Sequence, residues 1–268
     1  MHKGRKILAL LLALVLIGAV LGIAGCGDSG GGTEAEFTTI EDGKILCGSE
    51  TMFAPFEFVG SSGDIEGFDI DLMAAIAKEL GVTSEFMSEG FDTLIPTLKA
   101  GGKFDVIASG MTITDERKQE IDFSDPYIDA NLSIAMREGD TYTDPATLSG
   151  KKVGAQAGTT GLDWANENLK PAGANIVEFK TSADALNALK AGNVDAVVND
   201  LPVSEYLIKE AGGGMAIAKE IATGDQYGFG VSKDNPELKA AINDALAKIR
   251  DDGRYDEIYT KWFGDIPR

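Results

Sequence analysis

Arg117 holds an unusual position in the segment ASGMTITDERKQ, because it falls in the first turn of a predicted helix that begins near Asp115. Thr112 or Thr114 is expected to cap this helix. The unpaired N–H groups and the positive dipole at a helix N-terminus disfavour a cation and favour an anion. One interpretation is therefore that Arg117 binds a carboxylate, whose two oxygens match the guanidinium fork. The other is a solvated arginine that pairs with Asp115 or Glu120.

Asp200 is a candidate for binding a positively charged ligand group. It ends the apolar segment VDAVVND and is followed by Leu201 and Pro202. An aspartate before a proline is ordinarily a helix N-cap. A carboxylate at the end of a strand can also bind an ammonium group. One side chain can serve both purposes.

The segment QAGTTG places Gly158, Thr159 and Thr160 between a predicted strand and a predicted helix. Such a turn offers backbone N–H groups to an anion. The segment lacks the glycine spacing of a dinucleotide-binding fingerprint. Taken alone, it is weak support for an anion site.

One glutamate and two phenylalanines are candidates for contact with the rest of a ligand. Glu50 and Phe53 follow the first predicted strand, and Phe91 begins a later helix. Aromatic residues in such places usually belong to the core. We expect the core residues here to be Pro55, Phe56 and Phe58. Phe53 is then left to face outward.

Short apolar strands that alternate with helices must position these residues, a pattern typical of α/β proteins with largely parallel sheets. The predicted strands are KILCGS, TSEFM, FDVIASG, KKVGAQAG, NIVEFK and VDAVVND. The predicted helices are FDIDLMAAIAKELG, FDTLIPTLKAG, GLDWANENL, ADALNALKAG, the segment from Asn235 to Gly253, and YDEIYTKWF. In the first helix, Phe68, Leu72, Ile76 and Leu80 lie on one apolar stripe.

An internal repeat indicates two similar lobes. LKAGGKFDVIASG (98–110) and LKAGNVDAVVND (189–200) contain the same helix end, turn and strand. The first copy ends at Ser109 and Gly110, and the second at Asn199 and Asp200. Ligands of open α/β sheets bind beyond the carboxyl ends of strands, so two such ends predict a cleft between the lobes. The alternative is coincidence, because LKAG is a common helix end.

Composition excludes several classes of function. The formal net charge of −19 argues against nucleic acid or an anionic membrane as a partner. The only histidine is His2 and the only cysteines are Cys26 and Cys47, which excludes histidine-based triads and His/Cys metal sites. Cys47 is expected to be a buried strand residue. No P-loop motif occurs, so any ATP hydrolysis belongs to another chain. We expect no metal and no cofactor.

The first 26 residues have the pattern of an export signal. A positively charged start precedes an uncharged apolar run, Ile7 to Ile23, which ends in the small residues Ala24 and Gly25. The segment that ends at Cys26 resembles a bacterial lipobox, in which the cysteine is lipidated and becomes the new N-terminus. A retained membrane anchor is the alternative. Residues 27–36 are expected to form a flexible tether with a reach of about 17 Å.

Seven motifs occur in the order found in polar amino-acid binding proteins of ABC transporters, and the chain resembles this family over residues 43–266. They are FAPFEF, GFDIDLMAAIAKEL, SGMTITDERKQEIDFSDPY, VGAQAGTTG, DAVVND, QYGFG and DGRYDEIYTKWFG. The resemblance implies an α/β, two-lobed periplasmic-binding-protein fold of type II, with two crossover hinge strands near ANLSIAMR and TGDQYG. Lobe one is expected at 37–130 plus 223–268, and lobe two at 131–222.

The resemblance also implies a role for each candidate. Arg117 would bind the α-carboxylate of an amino acid, helped by the Thr112 backbone and the Thr159–Thr160 turn. Asp200 would bind the α-ammonium together with the Gly110 carbonyl and the Thr112 hydroxyl. Phe53 and Phe91 would enclose the ligand side chain, and Glu50 would contact its polar end. The full predicted binding set is Glu50, Phe53, Phe91, Ser109, Gly110, Thr112, Arg117, Gln156, Thr159, Thr160, Asn199 and Asp200.

Side-chain specificity is less well defined by the resemblance. Glutamine binders typically have Lys, His and Gly where this chain has Gln156, Asn199 and Thr160, and Gln156 followed by TTG is more similar to arginine binders. Glu50 stands where both kinds usually carry Asp. A carboxylate there suits a cationic or amide side chain and repels an acidic one. We therefore expect a basic amino acid such as arginine, or glutamine.

The expected function is that of a lipid-anchored extracytoplasmic receptor that closes on an amino acid and delivers it to an ABC importer. Its partners would be a permease in the membrane and a separate ATPase, and the protein is expected to be a monomer and not an enzyme. Two alternatives use the same fold. One is a dehydratase-like enzyme, in which Glu50 or a lysine acts as acid or base. The other is a sensor or adhesin that reports ligand binding to another protein.

Overall fold

The structure is a computed structural model that describes residues 37–264. The predicted signal segment, Cys26 and the tether lie outside the described residues. Among residues 37–264, no helix combines the length and apolar character that a membrane crossing requires.

Strands and helices alternate along most of the described chain. The strands are β1 (Lys44–Ser49), β2 (Met52–Phe53), β3 (Glu57–Val59), β4 (Ile65–Glu66), β5 (Thr83–Ser88), β6 (Val106–Ile107), β7 (Asp122–Phe123), β8 (Ile128–Asp129), β9 (Leu132–Arg137), β10 (Lys152–Gln156), β11 (Asn175–Phe179), β12 (Ala196–Asp200), β13 (Met215–Ile221), β14 (Gln226–Tyr227) and β15 (Gly230–Val231). The helices are α1 (Phe68–Glu79), α2 (Phe91–Ala100), α3 (Asp115–Glu120), α4 (Thr160–Asn168), α5 (Ser182–Lys190), α6 (Leu201–Glu210), α7 (Pro236–Asp251) and α8 (Arg254–Phe263), and Pro145–Leu148 form a 3-10 turn.

Two five-stranded sheets form the centres of two lobes, which confirms the predicted fold class. The first has the strand order β5-β1-β6-β15-β7 and the second has the order β11-β10-β12-β9-β13. In each sheet the first three strands are parallel, and the remaining pairs are antiparallel. β6 and β12, which belong to the two copies of the internal repeat, hold the same central place in their sheets.

The chain passes between the two sheets twice. It leaves the first sheet through β8 and enters the second at β9, and it returns after β13 through β14 to β15. β8 and β14 pair antiparallel, with Gln226 opposite Asp129 and Tyr227 opposite Ile128. These paired strands form the observed connection between the lobes. The predicted limits of the lobes at 130 and 223 stay a prediction.

The apolar stripe in the sequence correctly predicts helix α1 and the face that it buries. Phe68, Leu72 and Ile76 are fully buried beneath the helix, as the spacing predicts. The helix ends at Glu79, before Gly81 adopts a positive φ of 74°. Asp69 in its first turn is also fully buried, although a first-turn acid is ordinarily exposed.

The strand predicted over FDVIASG is much shorter in the structure, because only Val106 and Ile107 pair with neighbouring strands. The chain turns sharply at Gly110, whose φ is 48°. A β-carbon there would lie 2.7 Å from the ring of Phe53, so only glycine fits this close approach. Cys47 is a fully buried strand residue, as predicted.

Candidate functional site

Arg117 lies between the two lobes and is held by backbone carbonyls. Thr114 caps α3, because its Oγ1 accepts a hydrogen bond of 3.1 Å from the Arg117 backbone N–H. The guanidinium donates to the Thr112 carbonyl oxygen at 2.8 Å and, across the cleft, to the Gly158 carbonyl oxygen at 3.0 Å. It also lies over the ring of Phe91, 5.5 Å from the centroid. This geometry orients the guanidinium toward the cleft.

The alternative pairing of Arg117 with Asp115 or Glu120 is wrong. Within residues 37–264, Asp115 pairs with Lys118 and Glu120 pairs with Lys99, while Arg117 has no carboxylate within salt-bridge distance. The charge of the guanidinium is thus left without a counter-ion among the described residues.

Asp200 occupies the N-cap position of α6 but does not cap it through its side chain. The residue is 5% exposed, and its Oδ1 has no hydrogen-bond partner among the described residues. Burial raises the pKa of Asp200 to about 7, while the nearby Tyr227 hydroxyl and Arg117 charge act in the opposite direction. A cation that reaches Oδ1 would remove this penalty, so the carboxylate is suited to bind an ammonium group.

Tyr227 is a site residue that the sequence interpretation missed. It is fully buried, and its hydroxyl lies beside the Asp200 carboxylate. Its ring packs on Phe56 at 5.0 Å between centroids, and its backbone pairs with Thr112. The motif QYGFG marked its position, but nothing in the local sequence indicated that the hydroxyl faces the site.

Ser109 and Gly110 are supported from behind by two buried carboxyl groups. Ser109 Oγ donates to Glu57 at 2.8 Å and accepts the Glu50 backbone N–H at 3.0 Å. The Gly110 backbone N–H donates to Asp69 at 2.8 Å. The Ser109 hydroxyl therefore makes its hydrogen bonds to other groups of the protein. In this geometry, the role of Ser109, which was predicted to bind the ligand, is to support the site.

Glu57 and Asp69 are buried carboxyl groups behind the candidate site that sequence reasoning did not identify. Both are fully buried, and each leaves one carboxyl oxygen without a partner in the described chain. Burial raises the pKa of Glu57 well above its usual value and the pKa of Asp69 to about 7. The hydroxyl of Tyr127 donates to Asp69 at 2.7 Å. The only sequence signal was an acidic residue inside an otherwise apolar segment, as in FAPFEF.

Glu50 and Gln156 meet across the cleft. Gln156 Nε2 donates to Glu50 Oε1 at 2.9 Å, and Glu50 Oε2 has no partner among the described residues. Glu50 is 5% exposed, and burial raises its pKa to about 7. The other end of the Gln156 amide contacts Ser182, which also contacts Asn199. The two predicted residues Gln156 and Asn199 are thus linked through a serine that was not predicted.

The prediction that Phe53 faces outward is wrong. Phe53 is only 3% exposed and stacks on Phe56, with 6.0 Å between ring centroids. Phe58 is instead the partly exposed member of this aromatic group, in contact with Trp262 and Tyr206. Phe53 lies next to Gly110, and Phe91 lies next to Arg117. Both rings thus border the cleft while they belong to the hydrophobic core.

The turn at residues 158–160 begins helix α4. Thr159 Oγ1 accepts the Leu162 backbone N–H at 3.2 Å and donates to the Gln156 carbonyl at 2.8 Å. Thr160 is the first helical residue. A β-carbon at Gly158 would lie 3.3 Å from the Asp92 backbone, so the turn approaches α2 of the other lobe closely. The turn therefore places a helix N-terminus at the cleft, opposite Arg117.

Together these groups form a small polar site with an excess of negative charge. Two buried carboxylates, Glu50 and Asp200, share the cleft with one guanidinium, Arg117. Groups of opposite sign at separate points suit a zwitterion. Within residues 37–264, no group of three or more His, Cys, Asp or Glu side chains could hold a metal ion.

Comparisons with known proteins identify the family of this chain. The sequence profile of bacterial extracellular solute-binding proteins, family 3, matches residues 45–265. A probable histidine-binding protein of Neisseria gonorrhoeae is 35% identical over 94% of both chains. An L-arginine-binding protein of Pseudomonas aeruginosa is 36% identical over 84% of this chain and 90% of its own. The glutamine-binding protein of an ABC transporter from Bacillus subtilis is 36% identical over 96% of this chain and 97% of its own.

Several solved structures of amino-acid-binding proteins are also similar to this chain. An ancestral arginine-binding protein bound to arginine has a TM-score of 0.79 and 45% identity, and covers 83% of this chain and 99% of its own. An ancestral arginine-binding protein bound to glutamine has a TM-score of 0.77 and 44% identity over 84% of this chain and 100% of its own. An ancestral amino acid-binding protein described as a precursor of cyclohexadienyl dehydratase has a TM-score of 0.76 and 40% identity over 82% of this chain and 96% of its own.

Proposed function

Because the chain belongs to the bacterial extracellular solute-binding proteins, family 3, we propose that it binds a polar L-amino acid between its lobes and delivers it to an ABC importer. A basic amino acid is the ligand that the charges of the cleft support best. Two buried carboxylates, each with an oxygen that lacks a partner among the described residues, line the same cleft as one guanidinium. That arrangement is the observation on which the proposal rests.

In this proposal Arg117 binds the α-carboxylate. Its guanidinium faces the cleft without a counter-ion among residues 37–264, and the N-terminus of α4 at Thr159 and Thr160 adds N–H donors on the opposite side. The Thr112 carbonyl holds the guanidinium in place at 2.8 Å. A charged hydrogen bond of this kind contributes about 1.5–3 kcal/mol.

Asp200 binds the α-ammonium, with the Tyr227 hydroxyl beside it and the Gly110 carbonyl on the facing lobe. Oδ1 of Asp200 is buried without a partner in the described chain, and the Tyr227 hydroxyl lies beside this carboxylate, which supports a ligand donor at Oδ1. Since Arg117 and Asp200 belong to different lobes, a ligand that contacts both favours the closed arrangement.

The charge balance distinguishes a basic side chain from an amide. With Arg117 and Asp200 assigned to the two α-groups, Glu50 is left with a buried oxygen that has no partner in the described chain. A buried carboxylate is stabilised more by a cation than by a neutral donor. Phe53 and Phe91 provide apolar surface for the aliphatic part of such a side chain.

Calorimetric titration of the mature protein with each of the twenty amino acids tests this proposal. We expect the tightest binding for arginine or another basic amino acid, weaker binding for glutamine, and none for glutamate or aspartate. A preference for glutamate would overturn the role of Glu50. The absence of binding to any of them would overturn the proposed function.

The proposal extends to lipid anchoring at Cys26 after removal of residues 1–25, and to closure of lobe two (131–222) against lobe one (37–130 plus 223–268). Anchoring predicts that a radiolabelled fatty acid is incorporated into the full chain and not into the Cys26→Ser variant. Delivery predicts that membranes containing the permease and its ATPase take up labelled amino acid only when this protein is added. A monomer is expected in solution.

A dehydratase-like enzyme is the second candidate, because one similar structure is described as a precursor of cyclohexadienyl dehydratase. Such an enzyme would use the buried Glu50 as its acid or base. Mass spectrometry of arginine and glutamine after long incubation distinguishes the two, since a binding protein returns its ligand unchanged. A sensor would bind the same ligands without supporting uptake.

A further inference from the structure

Ser182 lies between two amides at the side-chain end of the proposed site. It is the first residue of α5 and is 1% exposed. Its Oγ lies 2.7 Å from Gln156 Oε1 and 2.8 Å from Asn199 Oδ1. A hydroxyl carries a single proton, so Ser182 can donate to only one of these two oxygens.

The surroundings of Gln156 determine which amide receives the proton. Gln156 Nε2 lies 2.9 Å from Glu50 Oε1 and 3.2 Å from the Lys180 carbonyl oxygen. Both of these atoms are acceptors, so the amide nitrogen must face them and the amide oxygen must face Ser182. Ser182 therefore donates to Gln156.

Asn199 completes the network from the other side. When its amide is turned by 180°, which leaves the shape unchanged, the nitrogen faces Ser182 Oγ and the oxygen faces Ser204 Oγ. The corresponding separations are 2.8 Å and 3.4 Å. Each donor in the series then has an acceptor, and the hydrogen bonds run in one direction from Asn199 through Ser182 and Gln156 to Glu50.

This direction determines what the site offers a ligand. Both hydrogens of the Gln156 amide nitrogen are used by Glu50 and Lys180, and its oxygen receives the Ser182 proton. Within this network, the polar atom that has no partner among the described residues is Glu50 Oε2, which is buried and, when ionised, can only accept. A ligand that reaches this point must therefore donate.

We propose that Ser182 is a positioning residue that makes the site select a cationic side chain over an amide, by fixing the Gln156 amide with its nitrogen toward Glu50. The inference rests on the proposed function and specifies the class of side chain that the same site takes. Without the hydroxyl, the Gln156 oxygen loses its donor, and the amide is held only from its nitrogen side, by Glu50 and the Lys180 carbonyl, so that it rotates more readily. It then offers its own donor or acceptor to a neutral amide ligand, while its hold on Glu50 weakens.

The test compares the affinities of Ser182→Ala and wild type for L-arginine and L-glutamine by calorimetry. We expect arginine affinity to fall about tenfold and glutamine affinity to stay level or rise, so that the ratio of the two falls about tenfold. Ser182→Thr keeps the hydroxyl and is expected to retain the wild-type ratio. Ser182→Cys, a weaker donor of similar size, should lower the ratio even if the alanine variant folds poorly.

Ser124→Ala is the matched control, because Ser124 is also buried and its Oγ also makes two hydrogen bonds, to the Asp125 carbonyl and from the Phe229 N–H. It is expected to lower the melting temperature without changing the arginine-to-glutamine ratio. Equal losses for both ligands in the Ser182 variants would overturn the inference, as would a changed ratio in Ser124→Ala. A wild-type protein that binds neither ligand would overturn the proposed function itself.

Discussion

The guanidinium of Arg117 donates a 3.0 Å hydrogen bond to the carbonyl oxygen of Gly158, and this contact joins α3 of one lobe to the turn before α4 of the other. A second bond, from Gln156 to Glu50, joins the lobes two residues earlier in the same segment. Both contacts use groups that the proposed site assigns to ligand recognition. The same side chains therefore hold the lobes together and bear the unpaired charges of the cleft.

Removal of either charged side chain that is proposed to bind the α-carboxylate or the α-ammonium of the ligand is expected to abolish measurable binding. Arg117→Ala removes the cation for the α-carboxylate, and Asp200→Ala removes the anion for the α-ammonium. Each loss should weaken binding by roughly 100-fold or more, because it also leaves the ligand charge buried without a partner. Calorimetry measures the binding, and circular dichroism melting shows whether the fold persists.

Lys118→Ala is the control for these variants, because Lys118 lies next to Arg117 but pairs with the exposed Asp115. It should bind as the wild type does. Retained binding in Arg117→Ala or Asp200→Ala would show that the site is elsewhere.

Glu50→Gln should change which amino acid is bound. The substitution keeps the size of the side chain and removes its charge, so we expect arginine affinity to fall roughly 10- to 100-fold while glutamine affinity changes little. Competition titration measures both affinities. Glu85→Gln, at an exposed position of β5, alters the net charge equally and should leave both unchanged. A parallel loss of both ligands in Glu50→Gln would contradict the assigned role.

Arginine binding should weaken as the pH falls through 7. In the empty site, burial raises the pKa of Glu50 and of Asp200 to about 7, and a bound cation lowers both pKa values because it favours the ionised forms. Binding therefore releases protons below pH 7, and its full strength is present only above that value. Between pH 8 and pH 6 we expect a loss of about tenfold for each group.

Titrations of the wild type and of Glu50→Gln at both pH values measure this dependence. In the variant, the change in the logarithm of arginine affinity between pH 8 and pH 6 should be about half of that in the wild type, because one titrating group remains. An affinity that is equal at pH 6 and pH 8 would contradict the prediction.

The ligand-free protein should be more stable near pH 5 than near pH 8. Burial raises the pKa of Glu57 well above its usual value and the pKa of Asp69 to about 7, so the native state binds more protons than the unfolded state above pH 4. The free energy of unfolding then falls as the pH rises toward 7. Exposed carboxylates with lowered pKa values, such as Glu79, act in the opposite direction but weakly.

Urea denaturation at the two pH values measures this difference. Asp69→Asn keeps an acceptor for the Gly110 N–H and removes one titrating group, so it should reduce the difference. A wild-type protein that gains stability between pH 5 and pH 8 would refute the expectation.

Gly110→Ala should destabilise the protein and weaken binding. Its φ is 48°, and a β-carbon would lie 2.7 Å from the Phe53 ring, so the change adds a clash to the cost of a left-handed backbone. We expect a loss of about 2–4 kcal/mol in the free energy of unfolding, measured by denaturant titration. Gly253 is a left-handed glycine with a φ of 87° and open space around it, and Gly253→Ala should cost only about 1 kcal/mol. Equal costs at the two glycines would show that the approach to Phe53 has no effect.

Much of the fold followed from local patterns in the sequence. The apolar stripe of Phe68, Leu72 and Ile76 predicted α1, and the LKAG repeat predicted two related lobes, whose sheets do share the order of their first three strands. These features depend on periodicity and on turn residues, which act over a few positions of chain. The shortness of β6 was not predicted, because it depends on where Gly110 meets Phe53 and Asp69.

The sequence by itself determined the α/β class, the polar residues at the strand ends and the excess of negative charge. Only the tertiary structure decided which of these residues face one another. Tyr227, Asp69 and Ser182 lie at or behind the site although they are distant along the chain from Arg117 and Glu50, and Phe53 is buried although it was expected to face outward. The physical reason is that burial and hydrogen-bond partners arise from contacts between elements far apart in sequence, and these contacts set the pKa values and the direction of each hydrogen bond.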